Sequence, residues 1–233
     1  MPDSPTFPRF QSAASEPTHL YLVRHGQTTG NQDRLLHGRT DSALSDLGIA
    51  QAERVADRLK SETRIDAIVT SPLIRASGTA NQISTRFGIE TTIQHDLVEM
   101  DFGDLEGYTF ERVVAEYPEL ARKALDPADQ TLAWPNGESR AGFHRRVRAA
   151  FKSLVQEHAG QRVVVVSHNG VLGSFLAQVQ GESPDNWTAF RIANCSLSSL
   201  QISNSGATVY YLNDVAHLAN MVTMITADTL KAP

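Results

Sequence analysis

Two histidines in this 233-residue chain each close a short apolar run and meet a glycine within two residues, in Arg24-His25-Gly26 and in Ser167-His168-Asn169-Gly170. An apolar run of that length, without alternation, reads as a strand buried on both faces. In open α/β sheets ligands lie beyond the carboxyl ends of the strands, so a cation, an imidazole and a permissive glycine placed there face a pocket. A phosphate is the guest such a set would suit. Either segment alone is equally well an ordinary strand exit, and the other segments decide between the two.

A third strand-like run, residues 65–70, leads into Ser71-Pro72-Leu73-Ile74-Arg75. Ser71 as N-cap and Pro72 as the first helical residue predict a helix start there. Arg75 then lies in or near the first turn, where a cation opposes the helix dipole at a cost of about 0.3–1 kcal/mol; a bound anion would reverse that sign. The plain alternative is a solvent-facing arginine. Residues 99–107 carry Glu99, Asp101, Asp104 and Glu106 with two glycines and make a poor helix interior. These carboxylates and eight histidines raise a metal-dependent hydrolase as a competing reading, but no His-Glu-x-x-His spacing occurs.

The elements that must position these residues follow from the hydrophobic pattern. Residues 20–23 form the first strand and residues 31–43 a polar loop. Ser45 caps a helix with apolar positions Leu47, Ile49, Ala52, Val55, Ala56 and Leu59. Residues 91–98 hold a further short strand, 109–117 and 118–125 are helical, 127–137 form a loop, and a longer helix covers 138–158. Val163 to Val166 make the clearest buried strand, with a helix through Gln178 behind it; residues 196–202 and 208–212 pair as antiparallel strands across a Ser-Gly turn. This succession of strand, loop and helix units predicts an α/β fold.

Composition sets the limits. Net charge is −5, with a local cluster at Arg140, Arg145, Arg146 and Arg148, a poor footprint for nucleic acid. A solvated helix face accounts for those arginines, and a second anionic group on a ligand is the alternative. The single cysteine, Cys195, excludes an internal disulfide framework and reads as a small buried residue. No stretch approaches the roughly 18 apolar residues of a membrane span, and nothing at the amino end suggests secretion, so a cytoplasmic protein is expected. Residues 1–17, with Pro2, Pro5, Pro8 and Pro17, predict a loosely ordered leader, and residues 18–233 one domain with a helical insertion at about 108–137. An apolar stripe at Val215, Leu218, Met221, Val222 and Ile225 could cover the protein's own body or a second copy in a homodimer.

Taken together and in order, Arg24-His25-Gly26-Gln27-Thr28 with Asn31, Gly38 to Leu44 leading into Ser45 and Gly48, Ser71-Pro72 with Arg75-Ala76, the 99–107 segment and Ser167-His168-Asn169-Gly170 resemble the histidine phosphatase superfamily, which includes the phosphoglycerate mutases. The resemblance implies a three-layer α/β/α sandwich with a mostly parallel central sheet. It implies that His25 becomes phosphorylated, that Arg24, Asn31, Arg75 and His168 clamp the phosphoryl group, with Gln27, Thr28 and Gly38 on the substrate side, and that Glu99 protonates the leaving oxygen. No metal or cofactor is expected, because arginines beside the phosphate supply the neutralisation a metal would otherwise give. His25 must be neutral to attack, a bound phosphate should favour the charged form of His168, and burial beside a dianion should raise the pKa of Glu99.

The implied reaction is metal-independent hydrolysis of a small phosphorylated metabolite, with phosphoryl transfer between hydroxyls, as in a mutase, as the alternative and a non-catalytic phosphate-binding protein as the remote one. Mutases of this family usually carry a longer insertion between the acid and the second histidine, so the short spacing from Glu99 to His168 favours the phosphatase branch. The leaving-group side should come from residues 32–41 and 106–137, where Tyr108, Phe110, Tyr117 and Trp134 are available as contacts or as core.

Overall fold

A computed structural model describes residues 10–11, 16–190, 192–219 and 221. In chain order the elements are β1 (Thr18–Arg24), α1 (Thr29–Gln32), α2 (Asp46–Glu62), β2 (Ala67–Thr70), α3 (Ile74–Phe87), β3 (Thr91–Ile93), α4 (Phe110–Glu116), α5 (Pro118–Leu125), α6 (Arg140–Glu157), β4 (Arg162–Ser167), α7 (Asn169–Gln180), β5 (Leu197–Ser203) and β6 (Gly206–Asp214). Short 3-10 turns at His95–Leu97, Gly103–Leu105, Pro184–Ala189 and Ala216–Leu218 connect them. Among the described residues, no helix is long and apolar enough to cross a membrane.

The six strands lie in the order β3-β2-β4-β1-β5-β6. The β3-β2, β2-β4 and β4-β1 pairs are parallel, whereas β5 and β6 add an antiparallel edge. Strand periodicity sends alternate side chains to opposite faces, which divides the apolar runs between two cores. Leu20, Leu22, Val163 and Val165 join Phe143, Val147, Phe151 and Phe175 of α6 and α7 on one face. Val23, Val164 and Val166 join Ala52, Val55, Leu59, Ala76, Ala80 and Ile83 of α2 and α3 on the other. This is the expected three-layer sandwich.

Several local expectations need correction. Ser71 does not cap α3: the helix starts at Ile74 with Leu73 at the N-cap and no side-chain cap from that residue. The Ile74 amide instead donates to Asp41 Oδ1 at 2.8 Å, a cap delivered from a distant loop, which leaves the Ser71 hydroxyl for another partner. The strand predicted over 91–98 stops at Ile93, and the 31–43 loop is preceded by the short helix α1, closed by a capping box between Thr28 and Asn31. Ser45 does cap α2, accepting from the Gly48 amide at 3.1 Å. Of residues 1–17, Phe10 is described and buried, edge-on to Phe175 at 5.1 Å between ring centroids. In the apolar stripe near the carboxyl end, Leu218 is buried and Val215 and Met221 pack against the second core; Val222 and Ile225 lie outside the described residues.

Candidate active site

Sheet register brings the two histidines together. In the β1-β4 ladder Arg24 stands opposite Ser167, so His25 and His168 are neighbours one step beyond, with ring centroids 5.1 Å apart. The His25 amide extends the pairing by donating to the Ser167 carbonyl at 3.0 Å. On the other flank of β4, Thr70 pairs with Val166, which delivers Ser71 and then Arg75 to the same edge. Three adjacent parallel strands thus end in the polar groups singled out from the sequence, at the place such sheets bind ligands.

Hydrogen bonds set the tautomers. The Gly26 carbonyl faces His25 Nδ1 at 2.8 Å, so the proton lies on Nδ1 and the Nε2 lone pair is available. Burial first, then Arg75 and Arg24, hold the pKa of His25 well below its ordinary value, so the ring is neutral. His168 is wholly buried; its Nδ1 accepts from Arg75 Nε at 3.3 Å, which leaves Nε2–H to donate to Ser71 Oγ at 2.8 Å. Burial, Arg75 and His25 depress its pKa as well. Without an anion His168 is therefore a neutral acceptor, and the cationic form expected of it would require a phosphate. Arg24 donates Nη1 to the Ile192 carbonyl at 2.7 Å; burial lowers its pKa to about 10, and it remains charged at neutral pH.

Arg75 is buried although it sits in the first turn of α3. Its guanidinium donates to the carbonyls of Thr40 at 2.9 Å, Gly38 at 2.8 Å and His37 at 3.3 Å. Those backbone dipoles offset the helix-dipole cost and fix the fork at the strand ends. The same loop is held from its amide side by Glu106, whose carboxylate accepts from the amides of Gly38, Arg39, Thr40 and Phe102 at 2.9–3.1 Å. These bonds lower the pKa of Glu106 despite its partial burial.

Glu99 has a different environment from the other three carboxylates of its segment. It is buried, Oε1 accepts from the Met100 amide and Oε2 from the Gly170 amide, both at 2.9 Å. Burial nevertheless dominates these bonds and the fields of Arg75 and Arg146, and its pKa is raised. A β-carbon at Gly170 would meet Glu99 Oε1 at 2.5 Å, so a side chain there would displace the carboxylate from this position. Asp101 accepts from the Gly103 amide and Asp104 from Asn136, both at 2.8 Å, while Glu106 serves the 38–40 loop. The carboxylates suggested as a metal cluster are thus divided among separate backbone and side-chain partners, and among the described residues no group of three or more His, Cys, Asp or Glu is arranged to hold an ion.

The cleft these groups line has a volume of about 140 Å³. Arg24, His25, Thr28, Asn31, Arg75, Glu99 and Gly170 all face it. His168 lies behind, against Arg75 and Ser71. Gln27 and Gly38, expected on the substrate side, are not among its lining residues. Gln27 Oε1 accepts from Ser45 at the start of α2, and Gly38 serves Arg75 through its carbonyl. Gly26 is there for close approach rather than for an unusual φ, since a β-carbon would lie 2.4 Å from the Gly48 carbonyl.

Sequence reasoning missed Asn194, fully buried, whose Nδ2 donates to the His25 carbonyl at 2.9 Å and to Asn31 Oδ1 at 3.3 Å. It precedes β5, and only the antiparallel β1-β5 pairing shows that this position reaches the carboxyl end of β1. His37 was also missed: it lines the cleft, its Nδ1 is buried without a hydrogen-bond partner among the described residues, and burial and Arg75 lower its pKa. Of the four aromatics suggested for the leaving-group side only Trp134 lines the cleft. Phe110 is core, and Tyr108 lies under the Arg112 guanidinium with Tyr117 beside it. Arg146 is taken up by Glu138 at 2.7 Å and by the carbonyls of Asp96, Val98 and Glu99, and Arg148 bonds Gln178 at 3.1 Å.

Comparison with known proteins agrees with this geometry. The chain is 32% identical over 213 residues to phosphoglycerate mutase-like protein 4 of Arabidopsis thaliana, covering 90% of this chain and 91% of that protein. Among solved structures, it is similar to the α-ribazole phosphatase of Shigella flexneri, with a TM-score of 0.75 and 31% identity over 84% of this chain and 96% of the other. It is also similar to a phosphoserine phosphatase of Entamoeba histolytica solved with 3-phosphoglyceric acid, with a TM-score of 0.77 and 28% identity over 86% and 99% of the two chains. The model of the histidine phosphatase superfamily (branch 1) matches residues 20–215, and the chain belongs to that family.

Proposed function

We propose that this protein hydrolyses a small phosphomonoester through a phosphohistidine at His25, without a metal. The observation that carries this reading is the pairing, in one cleft, of a neutral His25 with a free Nε2 lone pair and a buried Glu99 whose pKa is raised. Phosphoryl transfer asks for in-line positioning and neutralisation of charge on the equatorial oxygens, and Arg24 and Arg75 supply the charge. His25 Nε2 forms the bond to phosphorus as the P–O ester bond breaks, and Glu99 gives its proton to the departing alcohol oxygen. Water then attacks the phosphohistidine, Glu99 takes the water's proton, and inorganic phosphate and neutral His25 are restored. His168 lies behind the cleft, and with Nδ1 accepting from Arg75 Nε and Nε2–H donating to Ser71 Oγ it positions that arginine for the phosphoryl group.

The phosphatase names of the structural neighbours support hydrolysis; the mutase-like name of the plant relative keeps transfer to a second hydroxyl as the competing outcome. Phosphate release from a panel of monoesters with chelator present throughout separates them. Rapid release supports the phosphatase. Interconversion of phosphoglycerate isomers without release would instead make it a mutase.

A further inference from the structure

The cleft is sharply divided. Its strand-end part is polar, whereas Leu35, Phe102, Leu132, Trp134, Phe143 and Trp187 supply an apolar wall, with Arg34, His37, Arg140 and Asn169 also in the lining. Trp134 and Phe102 meet edge to face at 5.0 Å, and the indole N–H of Trp134 is already given to the Met100 sulfur at 3.0 Å, so this wall keeps no spare donor at that point. The cations on this side do not supply a buried partner for a second anion. Arg140 donates to the carbonyls of Lys123, Ala124, Asp126 and Asp129 at 2.6–3.2 Å, and Arg34 is exposed. His37 is held neutral by burial and by Arg75.

We propose that the leaving group is a compact, uncharged apolar alcohol carrying a single ring, rather than a hydroxy acid or an amino acid. This rests on the phosphatase reading above. A carboxylate set against the buried side chains would lose its water without gaining a buried charged donor, and a solvent-screened pair with the exposed Arg34 would return little, whereas an apolar ring replaces water with dispersion contacts. The size sets an upper bound: the whole cleft, phosphoryl end included, measures about 140 Å³, and a cavity of about 150 Å³ takes one benzene-sized guest, so the group beyond the phosphate is no larger than one ring. An apolar pocket distinguishes ligands differing by one methylene by about 10- to 200-fold, so a whole ring should register clearly.

The test uses the full-length enzyme with chelator and four esters of unactivated alcohols: benzyl phosphate, glycerol 3-phosphate, phosphoserine and 3-phosphoglycerate. The expected result is a kcat/KM for benzyl phosphate at least about tenfold above each of the others. A polar ester turned over as well as benzyl phosphate, or better, overturns the assignment and leaves the phosphatase reading standing. Failure to hydrolyse any of these or p-nitrophenyl phosphate, with no phosphate on His25, overturns both. Trp134→Ala should lower the ratio of benzyl phosphate to glycerol 3-phosphate; an unchanged ratio in a folded variant contradicts the role given to this wall.

Discussion

The two halves of the cleft are built from different parts of the fold. At the phosphoryl end the groups gather at the carboxyl ends of adjacent parallel strands, His25 directly after β1, Arg75 in the helix after β2 and Glu99 in the loop after β3, and each has backbone partners: Gly26 for His25, the 37–40 carbonyls for Arg75, the Met100 and Gly170 amides for Glu99. At the leaving-group end most of the lining comes from loops and short turns around residues 34–37, 100–102, 132–134 and 187, joined by Phe143 of α6 and Ala124 of α5. The sheet therefore positions the reaction, and the loops are free to set what is attached to the phosphate. Changes at the first end should depress every ester alike; changes at the second should move ratios between esters.

The largest effect is expected from His25→Ala, with kcat down by about 10⁴-fold or more on every ester, since a group that forms the intermediate has no substitute. Turnover within tenfold of wild type in a steady-state assay would break the comparison. Glu99→Gln comes next. It should cost about 10²–10⁴-fold on alkyl phosphates and much less on an activated aryl phosphate, whose alcohol departs without a proton. In the wild type, the rate on alkyl phosphates should fall as pH rises through the raised pKa of Glu99, and a pH profile that is flat there removes its role as acid. Arg75→Ala should lower kcat/KM by about 10²–10³-fold without changing the order of preference among esters.

Stability should report the same buried charges. His25 and His168 have depressed pKa values in the fold, so below about pH 6.5 the unfolded chain binds protons that the native state refuses. Each then removes about 1.4 kcal/mol per pH unit as pH falls. Glu99 acts in the opposite sense, because its raised pKa favours the native state at low pH and that contribution is lost as pH rises through it. His19, His37 and His217 are lowered in the same sense, so acidification below about pH 6.5 costs stability on balance, with Glu99 offsetting part of the loss. Denaturant titrations between pH 7 and 5.5 would show it. A midpoint that does not move with pH would contradict the buried neutral state. The smallest effect is expected of Asn194→Ala, about tenfold in kcat on all esters alike, from one lost bond to the His25 carbonyl. A change in ester preference instead would place Asn194 at the leaving-group end.

The same division explains what was legible in the sequence. His25, His168 and Arg75 follow apolar runs directly, so strand pattern and topology suffice to bring them together. Glu99 was reachable only through family resemblance, which also led to the expectation that burial would raise its pKa; its burial against the Met100 and Gly170 amides is not advertised by an acidic stretch. Ser71 looked like a helix cap because Ser-Pro usually is one, and its hydroxyl instead meets His168. Gly38 and Gln27 were assigned to substrate, but their bonds run to Arg75 and Ser45. The leaving-group wall was the least readable part. Leu35, Phe102, Leu132 and Trp187 come from four separate segments with no shared periodicity, and only the assembled fold distinguishes them from core.

Rapid chemical quench during turnover, with the phosphoryl group located by peptide mapping, tests the central claim most directly. An acid-labile, base-stable phosphate on His25, formed and consumed at rates compatible with turnover, is the predicted result. Hydrolysis that proceeds with no phosphoenzyme, or with the phosphate on another residue, would contradict it.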